Sequence, residues 1–303
     1  MEQAVIDPVA PSVLRAELKE EYRLCETSHG GFEVYLIDGT TAPSVLTEIG
    51  RIRELAFRSN GGGTGKSVDL DRFDLEPELG FRQLVLWDPE REMIAGGYRI
   101  LTGNRCRFDE DGQPLMPSAH LFRFSDAFIK DVIPGMVELS RSFITASFMN
   151  EPASARNVFA LDGLFEGICY AVAPEKMRWF FGKVTFYPDY PLEALSLIHA
   201  FFTKYAADPR VVPHTERPML TLDYAPEVLC GDSFKADFRA LKLYFRKRGF
   251  YIPPILNTYI NLSDSFRYFG NAVNDEFGNV TEMGLLVDMS DIQAERYRSL
   301  LNV

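Results

Sequence analysis

Apolar positions alternate along this chain between the period of a strand and that of a helix. The run "FEVYLID" (32–38) reads as a strand. Residues 43–57 follow with Ile49, Ile52, Leu55 and Ala56 at helical spacing. "RQLVLWD" (82–88) is apolar on both faces, which suits a central strand. A short "PERE" turn joins it to "MIAGGYRIL" (93–101), and the two predict a hairpin. Gly96-Gly97 inside the second strand implies a bulge or a close backbone approach.

Residues 122–133 predict a helix and "GMVELSRSFI" (135–144) a strand. In 156–177, Leu161, Leu164, Phe165, Ile168 and Val172 form the stripe of a helix lying on a flat surface. "WFFGKVTFYP" (179–188) predicts the next strand, and residues 191–207 a helix entered through Pro191. A proline-rich connection (208–233) precedes a basic helix (235–249). "PPILNTYINL" (253–262) and "FGNVTEMGLLVDM" (277–289) read as strands, with a closing helix at 291–301. A helix between two neighbouring strands predicts an α/β fold whose sheet is at least partly parallel. The expected organisation is an N-terminal extension (1–30), a core (31–207) and a C-terminal part (208–303) that completes the same sheet.

The stretch "SNGGGTGKSVDLD" (59–71) imitates the end of a phosphate-binding loop. Its spacing fails, because Asn60 stands where the first glycine belongs. Its context fails too: a helix precedes it, and acidic residues from Asp69 to Glu78 follow it. A glycine-rich lid is the better expectation, with Lys66 as a contact for a carboxylate or a phosphopantetheine.

The 303 residues carry a net charge of −11. That balance disfavours nucleic acid, which needs a basic footprint. Cys25, Cys106, Cys169 and Cys230 lie far apart, as do the histidines, so neither spacing suggests a metal site. Scattered thiols and no signal-peptide pattern predict a soluble cytoplasmic protein, with peripheral contact at the inner membrane face left open.

Arg53-x-x-x-Phe57 leads across the glycine loop to Asp71 and Asp74. A strand–turn–strand then carries Arg99, and "VELSRSFI" carries Glu138, Ser140 and Arg141. In this order the motifs resemble the acyl-homoserine-lactone synthases and the ornithine-lipid N-acyltransferases, both GNAT-like. "FALDGLFEGI", "FGKVTFYPDYP" and the stretch from Pro253 to Val287 are more similar still to bacterial proteins often labelled "hemolysin" that make N-acyl amino-acid lipids, N-acyl glycine synthases among them. The resemblance runs from about residue 32 to the C-terminus. It departs at the first loop, where the lactone synthases place a tryptophan; Trp87 is on a strand and is no equivalent. It departs again at Glu276, where a histidine is expected.

The resemblance implies a GNAT-like twisted mixed sheet flanked by helices. It implies transfer of a fatty acyl or 3-hydroxyacyl group from the phosphopantetheine of acyl carrier protein to a small amino acid such as glycine. No bound cofactor is expected, and acyl-CoA is the alternative donor. Glu138 is the candidate base and Ser140 its companion on one face of the strand, with Arg141 on the other. Arg53, Phe57, Asp71, Asp74, Arg99 and Arg141 are candidate substrate contacts; the structural alternative is that the arginines hold the acidic loop. Lys242, Arg246, Lys247 and Arg248 are the candidate docking patch for the acidic carrier, or else a solvated helix face. The rival functions are acylation of ornithine and a non-catalytic module that binds carrier protein or lipid.

Overall fold

A computed structural model describes residues 2–146, 148, 155–263, 265–292 and 297, with no side-chain description for 155–158. Its centre is a mixed sheet whose strands are ordered β1-β2-β3-β4-β6-β7-β10-β9. In chain order these are β1 (Arg23–Glu26), β2 (Glu33–Ile37), β3 (Arg82–Asp88), β4 (Met93–Thr102), β6 (Met136–Ile144), β7 (Trp179–Phe186), β9 (Phe266–Asn274) and β10 (Val280–Asp288). β6 and β7 are parallel; the other neighbours are antiparallel. β5 (Phe122–Phe124) and β8 (Val211–Pro213) form a separate ribbon. The mixed α/β architecture matches the GNAT-like expectation, and the C-terminal hairpin extends the sheet beyond β7.

Alternation along β7 divides the core. Phe180 and Val184 belong to one apolar cluster with Leu164, Ile168 and Phe201. That face is covered by α5 (Ala155–Val172) and by α6 (Leu192–Ala206), which in turn packs on α8 (Phe234–Arg248). Phe181 points the other way, among Phe122, Phe124, Phe128 and Phe269. On this second face α2 (Pro43–Arg58) buries Val45, Ile49 and Ile52 against Tyr35, Val85 and Trp87.

Three expectations are corrected, and one segment that the periodicity leaves unassigned is a strand. Residues 254–262 form a helix, α9, because Pro253 and Pro254 suit its entry and Leu256, Tyr259 and Ile260 share a helical face. The segment before the last strand is itself a strand, β9, paired to β10 through a turn at Asp275–Asn279. The stretch 122–133 begins as the edge strand β5. Its helix, α4 (Asp126–Asp131), starts only where Ser125 caps the Phe128 amide. The 208–233 connection contains β8 and a short helix, α7 (Ala225–Val228). Most of the expected helix at 291–301 lies outside the described residues.

Two irregularities in β6 shape everything near it. Its pairing with β7 stops at Leu139–Gly182, after which the parallel strands run on unpaired. On its other side the register with β4 jumps from Ser140–Arg99 to Phe143–Gly97, so Arg141 and Ser142 together oppose Tyr98. Arg141 takes a left-handed conformation at φ 49° in this bulge. β4 can lie so close only because it lacks side chains there. A Cβ on Gly96 would sit 2.7 Å from the Phe143 carbonyl oxygen, and one on Gly97 2.7 Å from that of Leu84. Gly96→Val is therefore expected to cost about 1–3 kcal/mol or more of folding stability, measured by urea unfolding.

Candidate active site

The acidic segment after the glycine loop makes its own small helix, α3 (Arg72–Leu75). Asp71 accepts the Phe73 amide (2.8 Å) while Asp74 accepts the Asp71 amide (3.0 Å), a reciprocal cap. The two carboxylates then meet two arginines in the interior. Asp74 takes Arg53 Nη1 at 2.9 Å and Gln83 Nε2 at 2.9 Å on one oxygen, and Arg99 Nη1 at 3.0 Å on the other. Arg99 also donates to Asp71 at 2.7 Å and to Ser140 Oγ at 3.2 Å. Arg53 reaches Gln83 Oε1 at 2.5 Å. Arg53 and Arg99 are wholly buried. Phe73 and Phe81 flank the Arg99 guanidinium, each 5.5 Å away. Burial works against the Asp74 charge, but Arg99, Arg53 and the hydrogen bonds outweigh it and hold the carboxyl well below its ordinary range. Burial likewise disfavours charged Arg99, yet Asp74 and Asp71 raise its affinity for the proton.

Glu138 lies next along the sheet, on the last paired stretch of β6, and is 0% exposed. One carboxylate oxygen accepts the Ser118 amide at 3.2 Å and the Ser118 hydroxyl. The second has no hydrogen-bond partner. Lys183 Nζ from β7 stands 3.6 Å from the first oxygen, itself buried and without a hydrogen bond. Burial, and then the Glu138 carboxylate, push the nearby Cys106 thiol up to about 12, so it is not a thiolate nucleophile. Lys183 was missed in the sequence because it sits in an apolar strand motif. Its alternation with Phe181, both opposite Gly182, was the available signal.

The bulge corrects the expected facing of Arg141. Strict alternation would turn it away from Glu138 and Ser140. The extra residue returns it to their face, where its Nε lies 2.9 Å from Asp69 and its guanidinium 4.7 Å from the Phe277 ring. Phe277, at the tip of the β9–β10 hairpin, also meets Phe57 edge to face at 5.1 Å. Arg53, Asp71, Asp74, Arg99, Ser140 and Arg141 thus gather around one patch, with Phe57 above Arg141 through Phe277. Glu276 is exposed on the same hairpin, 3.9 Å from His120.

The glycine loop is tethered. Glu54, fully buried, accepts Thr64 N, Thr64 Oγ1, Gly65 N and the Arg58 guanidinium. Gln3 pairs with Gly65 and Ser67. Gly62 packs on Phe277 and Tyr187, and Gly278 on Gly61. The Lys66 backbone carbonyl accepts from Arg58. Lys242, Arg246, Lys247 and Arg248 are exposed at the end of α8, remote in sequence from this patch; Lys242 rests on Phe238 and Arg248 on Tyr244. Among the described residues no helix is long and apolar enough to cross a membrane.

Comparison with known proteins gives the family. Residues 52–157 match the family model of the acetyltransferase (GNAT) domain. A glycine N(alpha)-acyltransferase of Bacteroides thetaiotaomicron is 42% identical over 97% of this chain and 88% of its own. One from Phocaeicola vulgatus is 40% identical over 97% of this chain and 91% of its own. The structure of FeeM, an N-acyl amino acid synthase from uncultured soil microbes, superposes with a TM-score of 0.42 at 9% identity, covering 88% of this chain and 92% of that one. The fold and the matched domain define a GNAT acyltransferase. Within that class the chain belongs to the family of the two Bacteroides and Phocaeicola relatives.

The buried charge network sets a stability prediction. A carboxylate held below its unfolded value of about 3.9 adds stability above that pH and loses it as the pH falls through the folded value. Asp74→Asn leaves Arg53 and Arg99 short of a counter-charge. It is expected to cost about 3–5 kcal/mol at neutral pH, read from urea unfolding, and to flatten the acid limb of the stability curve.

Proposed function

We propose that this acyltransferase moves a fatty acyl or 3-hydroxyacyl group from the phosphopantetheine thioester of acyl carrier protein to the α-amine of glycine. The product is an N-acyl amino acid for lipid biosynthesis. The observation that carries this reading is the buried Glu138 carboxylate, with one oxygen unengaged, beside the point where β6 and β7 part. The names of the relatives, both glycine N(alpha)-acyltransferases, support the acceptor.

The pantetheine arm lies in the gap between Ser140–Ile144 and Lys183–Phe186. An acceptor ammonium enters from the α2 face and gives a proton to Glu138, directly or through water. The free amine attacks the thioester carbon. The oxyanion is held by backbone N–H groups on the unpaired edge of β6. Collapse breaks the C–S bond, and the leaving thiolate takes the second proton of the attacking nitrogen, directly or through water. Arg53 and Arg99, both buried, support the site by holding α3 and Ser140. Arg141 and the Asp71 rim border the entry. The carrier docks through Lys242, Arg246, Lys247 and Arg248, whose positive charge suits an acidic partner. The reaction takes place in the cytoplasm, with product released at the inner membrane face.

The test is to incubate the pure protein with 3-hydroxyacyl carrier protein and a panel of amino acids, then weigh the products. N-acyl glycine as the main product is expected. Acylated ornithine would move the acceptor; acylation from acyl-CoA alone would move the donor. No thiol release with any acceptor would sink the enzymatic reading. Glu138→Gln is expected to lower turnover by about 10²–10⁴-fold while carrier binding persists. Full turnover in that variant would remove Glu138 as the base.

A further inference from the structure

Resting on this reading, we infer that Lys183 is the specificity residue for the acceptor: with Glu138 it reads a small α-amino acid as a zwitterion, Lys183 taking the carboxylate and Glu138 the ammonium.

The inference comes from accounting for the cations on the site face. Arg53 uses its terminal nitrogens on Asp74 and Gln83, and Arg99 is bound through Nη1 to Asp71 and Asp74 and through Nε to Ser140, which leaves its Nη2 without a hydrogen bond. Arg141 lies against Asp69 and under Phe277. Of these four cations Lys183 has the longest approach to a carboxylate, 3.6 Å to Glu138, and its Nζ makes no hydrogen bond, although its side chain is only 11% exposed. It is the first β7 residue beyond the last β6–β7 pair, so it stands where the gap opens. The next residue on its face, Thr185, is satisfied by Glu282 at 2.9 Å, and Glu282 also takes Asn274. A buried, unsatisfied ammonium is costly to keep without a role.

Distance selects the ligand. Lys183 Nζ and Glu138 Oε1 are 3.6 Å apart, too long for a hydrogen bond between them. In an α-amino acid the amine nitrogen and the carboxyl carbon are separated by a single carbon, about 2.5 Å apart. Such a zwitterion can lie across the pair with its charges reversed relative to theirs. Arg53, Arg99, Arg141 and Lys183 face Asp69, Asp71, Asp74 and Glu138 in equal number, so the patch also suits an acceptor of no net charge. A side-chain amine several carbons from its carboxylate cannot bridge the pair.

The experiment compares glycine with glycinamide, which keeps the amine and lacks the carboxylate, as acceptors from the same carrier thioester. Free thiol release gives kcat and KM. The unmodified enzyme is expected to prefer glycine by about tenfold or more in kcat/KM. In Lys183→Met and Lys183→Gln this preference is expected to collapse towards one, mainly through a raised KM for glycine, while Lys183→Arg keeps most of it. If the variants lose rate equally on both acceptors and the acid limb of the pH profile shifts, Lys183 acts only through Glu138 and the inference falls. Equal use of both acceptors by the unmodified enzyme overturns it without any variant, whatever the folding of the substitutions. Absence of acylated glycine from the unmodified enzyme would instead overturn the proposed function, and the inference with it.

Discussion

The structure depends on one compensated burial of charge. Arg53 and Arg99 are fixed cations inside the protein, and a buried ion without its counter-ion costs several kcal/mol. Asp74 answers both, and the capping of α3 holds Asp74 in place. One carboxylate thereby ties α2, α3 and β4 together, with Gln83 bringing in β3. The same network reaches Ser140 through the Nε of Arg99, so this stretch of β6 is set by an ion cluster. Both guanidiniums are thereby fixed in place, with Arg53 Nε and Arg99 Nη2 left without a hydrogen bond.

What remains free is decided where regular pairing fails. Parallel strands that stop pairing at Leu139–Gly182 leave backbone groups on two facing edges. Backbone N–H groups away from water need partners. The bulge just beyond adds a residue and reverses the face of Arg141. The two departures from strand geometry thus leave an unpaired edge and set a charged rim beside it.

The glycine loop shows the same chemistry in another setting. Its resemblance to a phosphate cradle was rejected on spacing and context. Even so, it does wrap an anion: the amides of Thr64 and Gly65 converge on the buried Glu54 carboxylate. Successive amides in a glycine-rich turn favour negative charge, whether that charge belongs to a ligand or to the preceding helix. Here the anion is internal, and the loop braces the end of α2 and the β9–β10 hairpin that carries Phe277.

Local pattern alone was enough for the α/β class, the β3–β4 hairpin, the close approach at Gly96-Gly97, and the helices at 43–58, 155–172 and 192–206. Each is set by short-range periodicity or by the space around a glycine, which neighbouring residues dictate. Asp71 and Asp74 stood out by motif, and their three-residue spacing also encodes the cap that orients them. Other features were settled only by long-range contact. Residues 254–262 carry β-branched residues and prolines that suit either state; the helix won because its apolar face packs under β7, where Tyr259 approaches Gly182. The turn of Arg141 required the register between β4 and β6. The meeting of Lys183 with Glu138 required a parallel pair joined by a whole intervening helix. Charge partners so far apart in the chain become neighbours only once the sheet is assembled, because no local preference encodes the distance between them.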